Sequence, residues 1–420
     1  MLVARKISVL GRAGTSTSSR ASFSSIYMPG HHTFLKTVPY APPPWAAALT
    51  NPPTERVVLG NFPTPIFPFR PPGLPEGVQM FIKRDDYSGL EMSGNKARKL
   101  EFLLAEALRE GADCVVTCGG VQSNHCRATA VSARMLGLDS YLLLRTSDTD
   151  LVGSELILVP RLEYAKQGGG DYFIEKTVEK LRLQGRKPYG IPVGGSNGLG
   201  TWGYLESIEE MEHQFKVVLN REATSVGGSR THRRAQDLNI TVTDVAFACG
   251  SGGSAAGLGV GAYLYAQTHQ DSSLQFNRLA SPPGTLLLHT ARGEQIHAYI
   301  VCDSPKYFYD HVDNKILPEM GFKVAAAGLP PNDGAGYATS TKDELVYISQ
   351  VARETGVLLD PVYSGKALYM LVKDLQDHPD KFAGKSILFI HTGGMFGLYD
   401  KVGDLIDDVV ATNDVSVFTA

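Results

Sequence analysis

The sequence predicts an α/β protein built on mainly parallel sheets. Short apolar runs rich in β-branched residues recur along the chain, and each ends in a polar or glycine-containing turn. Between several of these runs the apolar residues follow helical spacing, as Ala97, Leu100 and Leu104 do. Alternation of strand and helix is typical of parallel sheets with helices on both faces. The apolar runs are Cys114–Cys118, Tyr141–Leu144, Val245–Cys249, His297–Cys302 and Ile387–His391.

Length and composition fit a globular protein of two or three domains. The chain has 420 residues, and a domain holds about 150 residues. Hydrophobic residues make up 43% and charged residues 20%, as in soluble globular proteins. The 40 basic and 43 acidic residues give a net charge of −3, so no basic excess suggests a nucleic-acid partner. The five cysteines are irregularly spaced and form no CxxC pair, which predicts neither a disulfide framework nor a metal site.

The N-terminal leader, residues 1–39, has the composition of an organelle transit peptide. The first acidic residue is Glu55, and the segment before it carries five basic side chains. Seven serines fall within residues 1–26, without the apolar block of a secretory signal. We therefore expect import into mitochondria. A plastid is the less favoured destination, and an ordinary disordered tail is the alternative.

Several other segments have unusual composition. Residues 245–266 carry no charge but contain six glycines and two serines, so we expect a strand, a glycine loop and a buried helix rather than a membrane span. Residues 40–75 contain eleven prolines, which predicts an extended arm on a domain surface. Residues 216–241 and 267–293 are weakly periodic and rich in turns, as surface insertions are.

The strongest local motif is SGNKARKLE, which begins at Ser93 and places Lys96 in the first turn of a predicted helix. We expect Ser93 or Asn95 to cap that helix. The positive end of the helix, together with Arg98 and Lys99, disfavours an ammonium group at this position. This would lower the pKa of Lys96 and make it a plausible Schiff-base nucleophile. From spacing alone, a solvated surface lysine is the alternative.

A second motif, CGGVQSNH, follows the strand that ends at Cys118. The chain breaks at two glycines and enters a helix at Ser123 and Asn124, where free backbone N–H groups would face a carboxylate or phosphate. An ordinary capping pair is the alternative. His125 is either a base or a side chain that hydrogen-bonds locally.

A glycine- and serine-rich loop follows the strand that ends at Cys249 and precedes an apolar helix. Glycines let the backbone approach an anion, and the hydroxyls and the helix N-terminus supply donors, so the loop predicts a phosphate cradle. A dinucleotide fingerprint fits poorly because Ala255 stands where the third glycine should be. A plain tight turn is the other alternative. The loop residues are Gly250, Ser251, Gly252, Gly253 and Ser254.

Two C-terminal motifs bring hydroxyl groups to the predicted carboxyl edge of a sheet. The motif LLDPVYSGKA contains Tyr363 and Ser364, and HTGG contains Thr392. Together with a lysine at a helix start, an anion-binding loop and a capped helix, they describe a pyridoxal phosphate site.

The sequence resembles the family of D-cysteine desulfhydrases and 1-aminocyclopropane-1-carboxylate deaminases in five motifs that occur in the same order. They are SGNKARKLEFLLAEA, SNH, GSGGSAAG, LLDPVYSGKA and HTGGMFGLYDK. The segment YAPPPWAAAL resembles that of the plant desulfhydrases. The resemblance covers most of residues 40–420, and it implies a tryptophan-synthase-like (fold type II) pyridoxal phosphate enzyme that forms a homodimer.

The resemblance also implies how the cofactor is held. Lys96 would be the Schiff-base lysine, and Lys99 would lie near the cofactor phosphate. The loop at 250–254 would bind that phosphate, and Asn124 would contact the 3′-oxygen of the ring. By the same resemblance the smaller domain spans 99–195.

The larger cofactor domain would then consist of residues 40–98 and 196–420, with the two insertions. The interval between Arg145 and Lys187 is shorter than in the family. This difference and the insertions leave a catalytically inactive cofactor-binding homologue as an alternative.

Two positions favour one reaction over another. The deaminases of the family carry Glu and Leu where this sequence has Ser364 and Thr392. A carboxylate beside the pyridine nitrogen keeps it protonated and strengthens the electron sink that ring opening needs, whereas expulsion of a thiolate needs a weaker sink. We therefore expect β-elimination of D-cysteine to sulfide, ammonia and pyruvate, with the deaminase as the alternative. In this family Ser123 would bind the substrate carboxylate, and Tyr337 and Tyr363 would lie over the reacting atoms.

Overall fold

A computed structural model describes residues 33–89, 91–146, 156–166, 169–219, 242–269, 296–302, 305–322, 340–401 and 403. Most of the leader, most of both predicted insertions and Tyr337 lie outside these residues.

The larger sheet has five strands in the order β10-β9-β11-β4-β3. Four of them run parallel, with Leu388 opposite Val245 and Ile300 opposite Cys249. Only the edge strand β3 is antiparallel to its neighbour, and Pro68 ends it, as expected for a residue that cannot donate to a sheet. The strands are β3 Ile66–Pro68, β4 Gln79–Lys83, β9 Asp244–Cys249, β10 Ile296–Ile300 and β11 Ser386–Ile390.

Helices cover both faces of this sheet, which explains its continuous apolar strands. Along β9, Val245 and Phe247 pack into one core, and Ala246 and Ala248 pack into the core on the opposite face. Every residue of β9 is buried. Buried parallel strands have this character because neither face meets water.

The smaller sheet has four parallel strands in the order β7-β6-β5-β8. Alternate residues of its central strand again face two cores: Val115 packs on one side, and Cys114 and Val116 pack on the other. The strands are β5 Cys114–Gly120, β6 Asp139–Thr146, β7 Leu156–Pro160 and β8 Pro188–Gly190. All four lie within the predicted smaller domain, whose boundaries stay a prediction.

Helices connect the strands in the alternation that the sequence predicts. The first of them starts at Lys96, the lysine singled out above. The helices are α1 Lys96–Arg109, α2 Asn124–Met135, α3 Arg161–Lys166, α4 Gly170–Leu183, α5 Gly198–His213, α6 Gly253–Thr268, α7 Pro305–His311, α8 Leu317–Glu319, α9 Lys342–Thr355, α10 Ser364–Asp377 and α11 Pro379–Phe382. Two π-helical turns, Gln214–Leu219 and Val312–Ile316, extend this set.

The proline-rich arm has little regular secondary structure, but some of its side chains are part of the hydrophobic core. It follows β1 Thr37–Pro39, which pairs antiparallel with β2 Glu55–Val57. Trp45 in the arm is 6% exposed and packs edge to face on Tyr265 of α6. The arm is therefore anchored to α6 by a buried aromatic contact.

The uncharged segment from Val245 to Ala266 forms a buried strand, a glycine loop and a mostly buried helix, as predicted. Within the described ranges, no helix is both long and apolar enough to cross a bilayer. The same residues bring together no group of three His, Cys, Asp or Glu side chains that could hold a metal ion.

Candidate active site

A cavity opens where the carboxyl edges of the two sheets face each other. Its walls include Gly120 at the end of β5, Arg145 near the end of β6 and Cys249 at the end of β9. Ligands of open α/β sheets bind at such edges. Of the sequence-predicted site residues, those that line it are Lys96, Ser123, Asn124, Gly250, Ser251, Gly252, Ser254, Tyr363 and Thr392.

Three predicted residues lie close to this cavity without lining it. Lys99 and Ser364 are fully buried, and Gly253 begins α6 directly after the loop. Tyr337 is outside the described residues.

Lys96 is the first residue of α1 and is 8% exposed, with its side chain in the cavity wall. Burial disfavours the ammonium and lowers the pKa of Lys96 to about 8. No carboxylate in the described ranges pairs with it. A neutral amine is therefore accessible near physiological pH, which suits attack on an aldehyde.

The turn before Lys96 packs directly on the HTGG loop. Gly94 has φ +106°, and a Cβ there would lie 2.6 Å from the backbone oxygen of Thr392. Only glycine fits this position, because it tolerates the positive φ and the close approach. The expected side-chain cap is absent: Asn95 occupies the cap position but makes no capping hydrogen bond, and its Nδ2 instead donates to Ser254 Oγ at 3.3 Å. Asn95 thus ties α1 to the glycine-serine loop.

A buried ionic network holds the start of α1 against the larger sheet. Arg98 donates to both carboxylate oxygens of Asp85, at 2.9 and 2.8 Å, and to Glu210 at 2.9 and 3.0 Å. Lys83 donates to Glu210 at 2.6 Å, and the Tyr204 hydroxyl donates to Asp85 at 2.7 Å. The network joins β4, α1 and α5, and its member in α1 is only two residues from Lys96.

Lys99 lies beneath the glycine-serine loop as a buried amine without a carboxylate partner in the described ranges. Its Nζ donates to the Gly194 carbonyl at 3.3 Å and to Ser196 Oγ at 3.2 Å. Burial, and secondarily the charge of Lys96, holds the pKa of Lys99 well below its usual value. A Cβ on Gly253 would lie 2.8 Å from Lys99 Nζ, so glycine is needed for the loop to approach this amine.

Ser123 is the N-cap of α2, as one of the two sequence interpretations predicted. Its Oγ accepts the N–H of Cys126 at 3.2 Å, and the residue also lines the cavity. Asn124 Oδ1 accepts a hydrogen bond from Arg127, which leaves the Nδ2 group as the donor available to a ligand.

His125 hydrogen-bonds locally. Thr117 donates its hydroxyl proton to the Ile191 carbonyl at 2.9 Å, so His125 Nε2, 3.0 Å from Thr117 Oγ1, is the donor to that oxygen. Burial and the two nearby lysines hold the pKa of His125 well below its usual value. The ring therefore stays neutral.

Two hydroxyls meet at the end of β11, where the DPVY and HTGG motifs come together. Ser364 Oγ lies 3.2 Å from Thr392 Oγ1, and only Thr392 reaches the cavity. Asp360 holds the turn before α10 in place, because its carboxylate accepts the N–H groups of Val362, Tyr363 and Ser364 at 3.0, 2.6 and 2.7 Å. The ring of Tyr363 packs against the backbone of the glycine-serine loop.

The cavity also has walls that sequence reasoning did not single out. Cys302 follows β10 at the same sheet edge, so the rule that placed the other loops could have found it. Tyr307 and His311 lie one helical turn apart on α7, with their rings stacked at 6.0 Å. No local pattern marks that short helix as part of a site. The other unpredicted lining residues include Arg145, Tyr164 and Asp171.

These residues fit the chemistry of pyridoxal phosphate. Lys96 offers a buried amine for the aldehyde, and the buried amine of Lys99 lies beneath a loop at a helix N-terminus that would accept a phosphate. Asn124 offers a donor for the ring oxygen. Thr392 offers a hydroxyl in the cavity wall.

Comparison with known proteins agrees with this fit. A family model described as pyridoxal-phosphate dependent enzyme matches residues 57–393. An Arabidopsis thaliana protein named bifunctional D-cysteine desulfhydrase/1-aminocyclopropane-1-carboxylate deaminase, mitochondrial, is 41% identical over 92% of this chain and 90% of its own length.

A Thermotoga maritima protein named putative 1-aminocyclopropane-1-carboxylate deaminase is 32% identical over 84% of this chain and 100% of its own length. Among solved structures, one described as an ACC deaminase homologue aligns with a TM-score of 0.62 and 30% identity, covering 88% of this chain and 100% of that one. The chain therefore belongs to the family of pyridoxal-phosphate dependent enzymes, with the fold type II architecture that its sequence predicts.

Proposed function

We propose that this protein is a carbon–sulfur lyase that converts D-cysteine to sulfide, ammonia and pyruvate with pyridoxal phosphate. The observation that carries the proposal is the pair of neutral hydroxyls, Thr392 in the cavity wall and Ser364 behind it, at the positions where the ring-opening members of the family carry Glu and Leu. The similarity to the Arabidopsis protein supports the same assignment. Its name includes both activities, so 1-aminocyclopropane-1-carboxylate deamination is the second candidate.

Bound pyridoxal phosphate would supply the electron sink that stabilises negative charge at the substrate Cα. Lys96 would bind it covalently, Lys99 and the loop from Gly250 to Ser254 would hold its phosphate, and Asn124 would bind its ring oxygen. Thr392, backed by Ser364, would face its ring nitrogen.

The side chains around Lys96 suit proton transfer at the substrate Cα. The Lys96 amine, with a pKa of about 8, can be neutral and accept a proton from Cα near the operating pH. Ser123 and the first N–H groups of α2 would bind the substrate carboxylate and orient that Cα–H bond. Tyr363 in the cavity wall, and Tyr337 beyond the described residues, are the proposed groups over the reacting atoms.

The proposed reaction predicts a clear substrate order. Purified protein with pyridoxal phosphate should release sulfide and pyruvate from D-cysteine much faster than from L-cysteine, since a fixed carboxylate site orients the α-proton of only one enantiomer toward Lys96. It should release less 2-oxobutanoate from 1-aminocyclopropane-1-carboxylate than pyruvate from D-cysteine. Equal or greater ring-opening activity would favour the deaminase, and loss of both activities in a cofactor-loaded protein would favour an inactive homologue.

We further propose that the protein acts as a homodimer in mitochondria. The leader composition supports this location, and the Arabidopsis relative is described as mitochondrial. Residues 1–26 fused to a fluorescent protein should carry it into mitochondria, because import receptors bind basic, acid-free, serine-rich leaders. A version with Arg5, Arg12 and Arg20 changed to Glu is the control and should stay cytosolic. A cytosolic wild-type fusion would contradict the location.

A further inference from the structure

The cavity that contains Lys96 has one wall that is buried and another that meets solvent. Lys96, Asn124 and Thr392 belong to the buried wall and are 8%, 7% and 5% exposed. Tyr307 of α7, in contrast, is 49% exposed, and the side chain of Asp171, the second residue of α4, is 38% exposed. A ligand from solvent can therefore reach Lys96 by passing between α4 and α7.

An ion pair crosses this opening. Lys315 lies in the π-helical turn that follows α7, and its Nζ donates to the carboxylate of Asp171. The Lys315 side chain is 41% exposed, so the pair lies at the rim of the cavity. We call the ion pair between Asp171 and Lys315 the clasp.

The two sides of the clasp are fixed to different hydrophobic cores. In the π-helical turn, Val312 and Ile316 are 3% and 0% exposed and pack in a core of the larger sheet. A Cβ on Gly252 would lie 2.9 Å from Val312, so this turn also packs on the glycine-serine loop. In α4, Ile174 packs in a core of the smaller sheet. The clasp therefore ties the layers of the two sheets together at the cavity opening.

We propose that the clasp is a gate that sets how fast the cofactor enters and leaves the cavity. Breaking the ion pair frees α4 to separate from the π-helical turn, which widens the opening. Exposed ion pairs contribute little free energy, so the clasp slows exchange of the cofactor without blocking it. The inference rests on the proposed binding of the cofactor at Lys96, and it holds for either candidate reaction.

A gate changes rates and leaves affinity unchanged. The clasp joins two protein side chains whether the cavity is empty or filled, so its loss speeds uptake and release by the same factor. If Asp171 or Lys315 held the cofactor directly, faster release would come with weaker binding. If the two charges only steered the anionic cofactor, losing Asp171 would strengthen binding and losing Lys315 would weaken it.

The test measures release and affinity on the full-length holoenzyme. Exchange of the bound cofactor for isotopically labelled pyridoxal phosphate gives the release rate, and an equilibrium titration gives the Kd. Lys315→Met and Asp171→Asn should each speed release about 2- to 5-fold, the range open to an exposed ion pair, with an unchanged Kd. Asp171→Lys combined with Lys315→Asp reverses the pair and should restore the wild-type release rate.

Lys306→Met is the matched control for the loss of a nearby lysine. Lys306 pairs with Asp310 inside α7 at 2.6 Å and does not cross the opening, so release and Kd should match the wild type. Unchanged release in the two clasp variants overturns the proposal, as do opposite shifts in Kd or a loss of affinity that matches the faster release. A folded charge-reversed variant with fast release also overturns it. If that variant fails to fold, the two single variants still decide.

Turnover of D-cysteine by the same wild-type sample separates this inference from the proposed function. Turnover by the wild type, with unchanged release in the clasp variants, rejects the gate and keeps the lyase. Faster release at unchanged Kd, without turnover by the wild type, keeps the gate and rejects the lyase. Failure of the wild type to bind pyridoxal phosphate rejects both.

Discussion

Replacing Lys96 with alanine is expected to abolish D-cysteine turnover and the visible absorption of the lysine-bound cofactor while the fold persists. The amine is the proposed covalent attachment point, and no second lysine lines the cavity among the described residues. No carboxylate in those ranges loses a partner in the variant. We therefore expect the variant to lose no more than about 1 kcal/mol of its free energy of unfolding at pH 7.

The lowered pKa of Lys96 determines how the stability of the wild type depends on pH. Burial lowers the pKa of Lys96 from the usual 10.5 to about 8, so the folded state binds fewer protons than the unfolded state between these values. The buried ammonium thus destabilises the wild type below pH 8, and Lys96→Ala removes that penalty. Covalent uptake of pyridoxal phosphate by wild-type apoprotein should accelerate as the pH rises through about 8, because the neutral amine is the nucleophile.

Lys176→Ala serves as a matched control for the loss of a lysine. Its side chain is 56% exposed on α4, so both turnover and absorption should match the wild type. Turnover by Lys96→Ala at the wild-type rate, or an unchanged absorption band, would mean that another amine binds the cofactor.

Local pattern predicted three of the five strands of the larger sheet, β9, β10 and β11, because each is a continuous apolar run that ends in a polar or glycine-containing turn. The expected strands Val245–Cys249 and Ile387–His391 differ by one residue at the ends from those observed. Strands β1 to β4, β7 and β8 were not among the predicted runs. Their pairing depends on neighbours distant in sequence, which a local apolar pattern does not contain.

The candidate site was predictable where function follows from position at a sheet edge, and unpredictable where it follows from hydrogen-bond direction. Glycines and hydroxyls after β9 and β11 could be placed because parallel strands end at the same edge. The donor role of His125 Nε2 depends on the hydrogen bond from Thr117 to the carbonyl of Ile191, 74 residues further along the chain. The cap predicted at Asn95 failed for a related reason, since the amide bonds Ser254 across the cavity edge instead.

The second large effect is expected for Arg98→Met, which should destabilise the protein by about 3 to 5 kcal/mol because it leaves buried carboxylates without their cation. Arg98 is 3% exposed and bonds both Asp85, which is fully buried, and Glu210. Chemical denaturation of the apoprotein at pH 7 measures the change. Arg109→Met is the matched control, because that arginine lies in the same helix with its side chain 53% exposed and should change the free energy of unfolding by less than about 1 kcal/mol.

The pH dependence of Arg98→Met separates lost charge pairing from lost packing. The Arg98 guanidinium holds the pKa of Asp85 well below its usual value of 3.8, and the pKa of Glu210 is lowered for the same reason. This stabilisation is present above the unfolded-state pKa values and is lost as the pH falls through the folded ones. The difference between wild type and Arg98→Met should therefore shrink steadily below about pH 4, as carboxylates in the variant bind protons. A difference that stays constant from pH 7 to pH 3 would mean that Arg98 stabilises the start of α1 by packing, and that its charge contributes nothing to holding Lys96 in place.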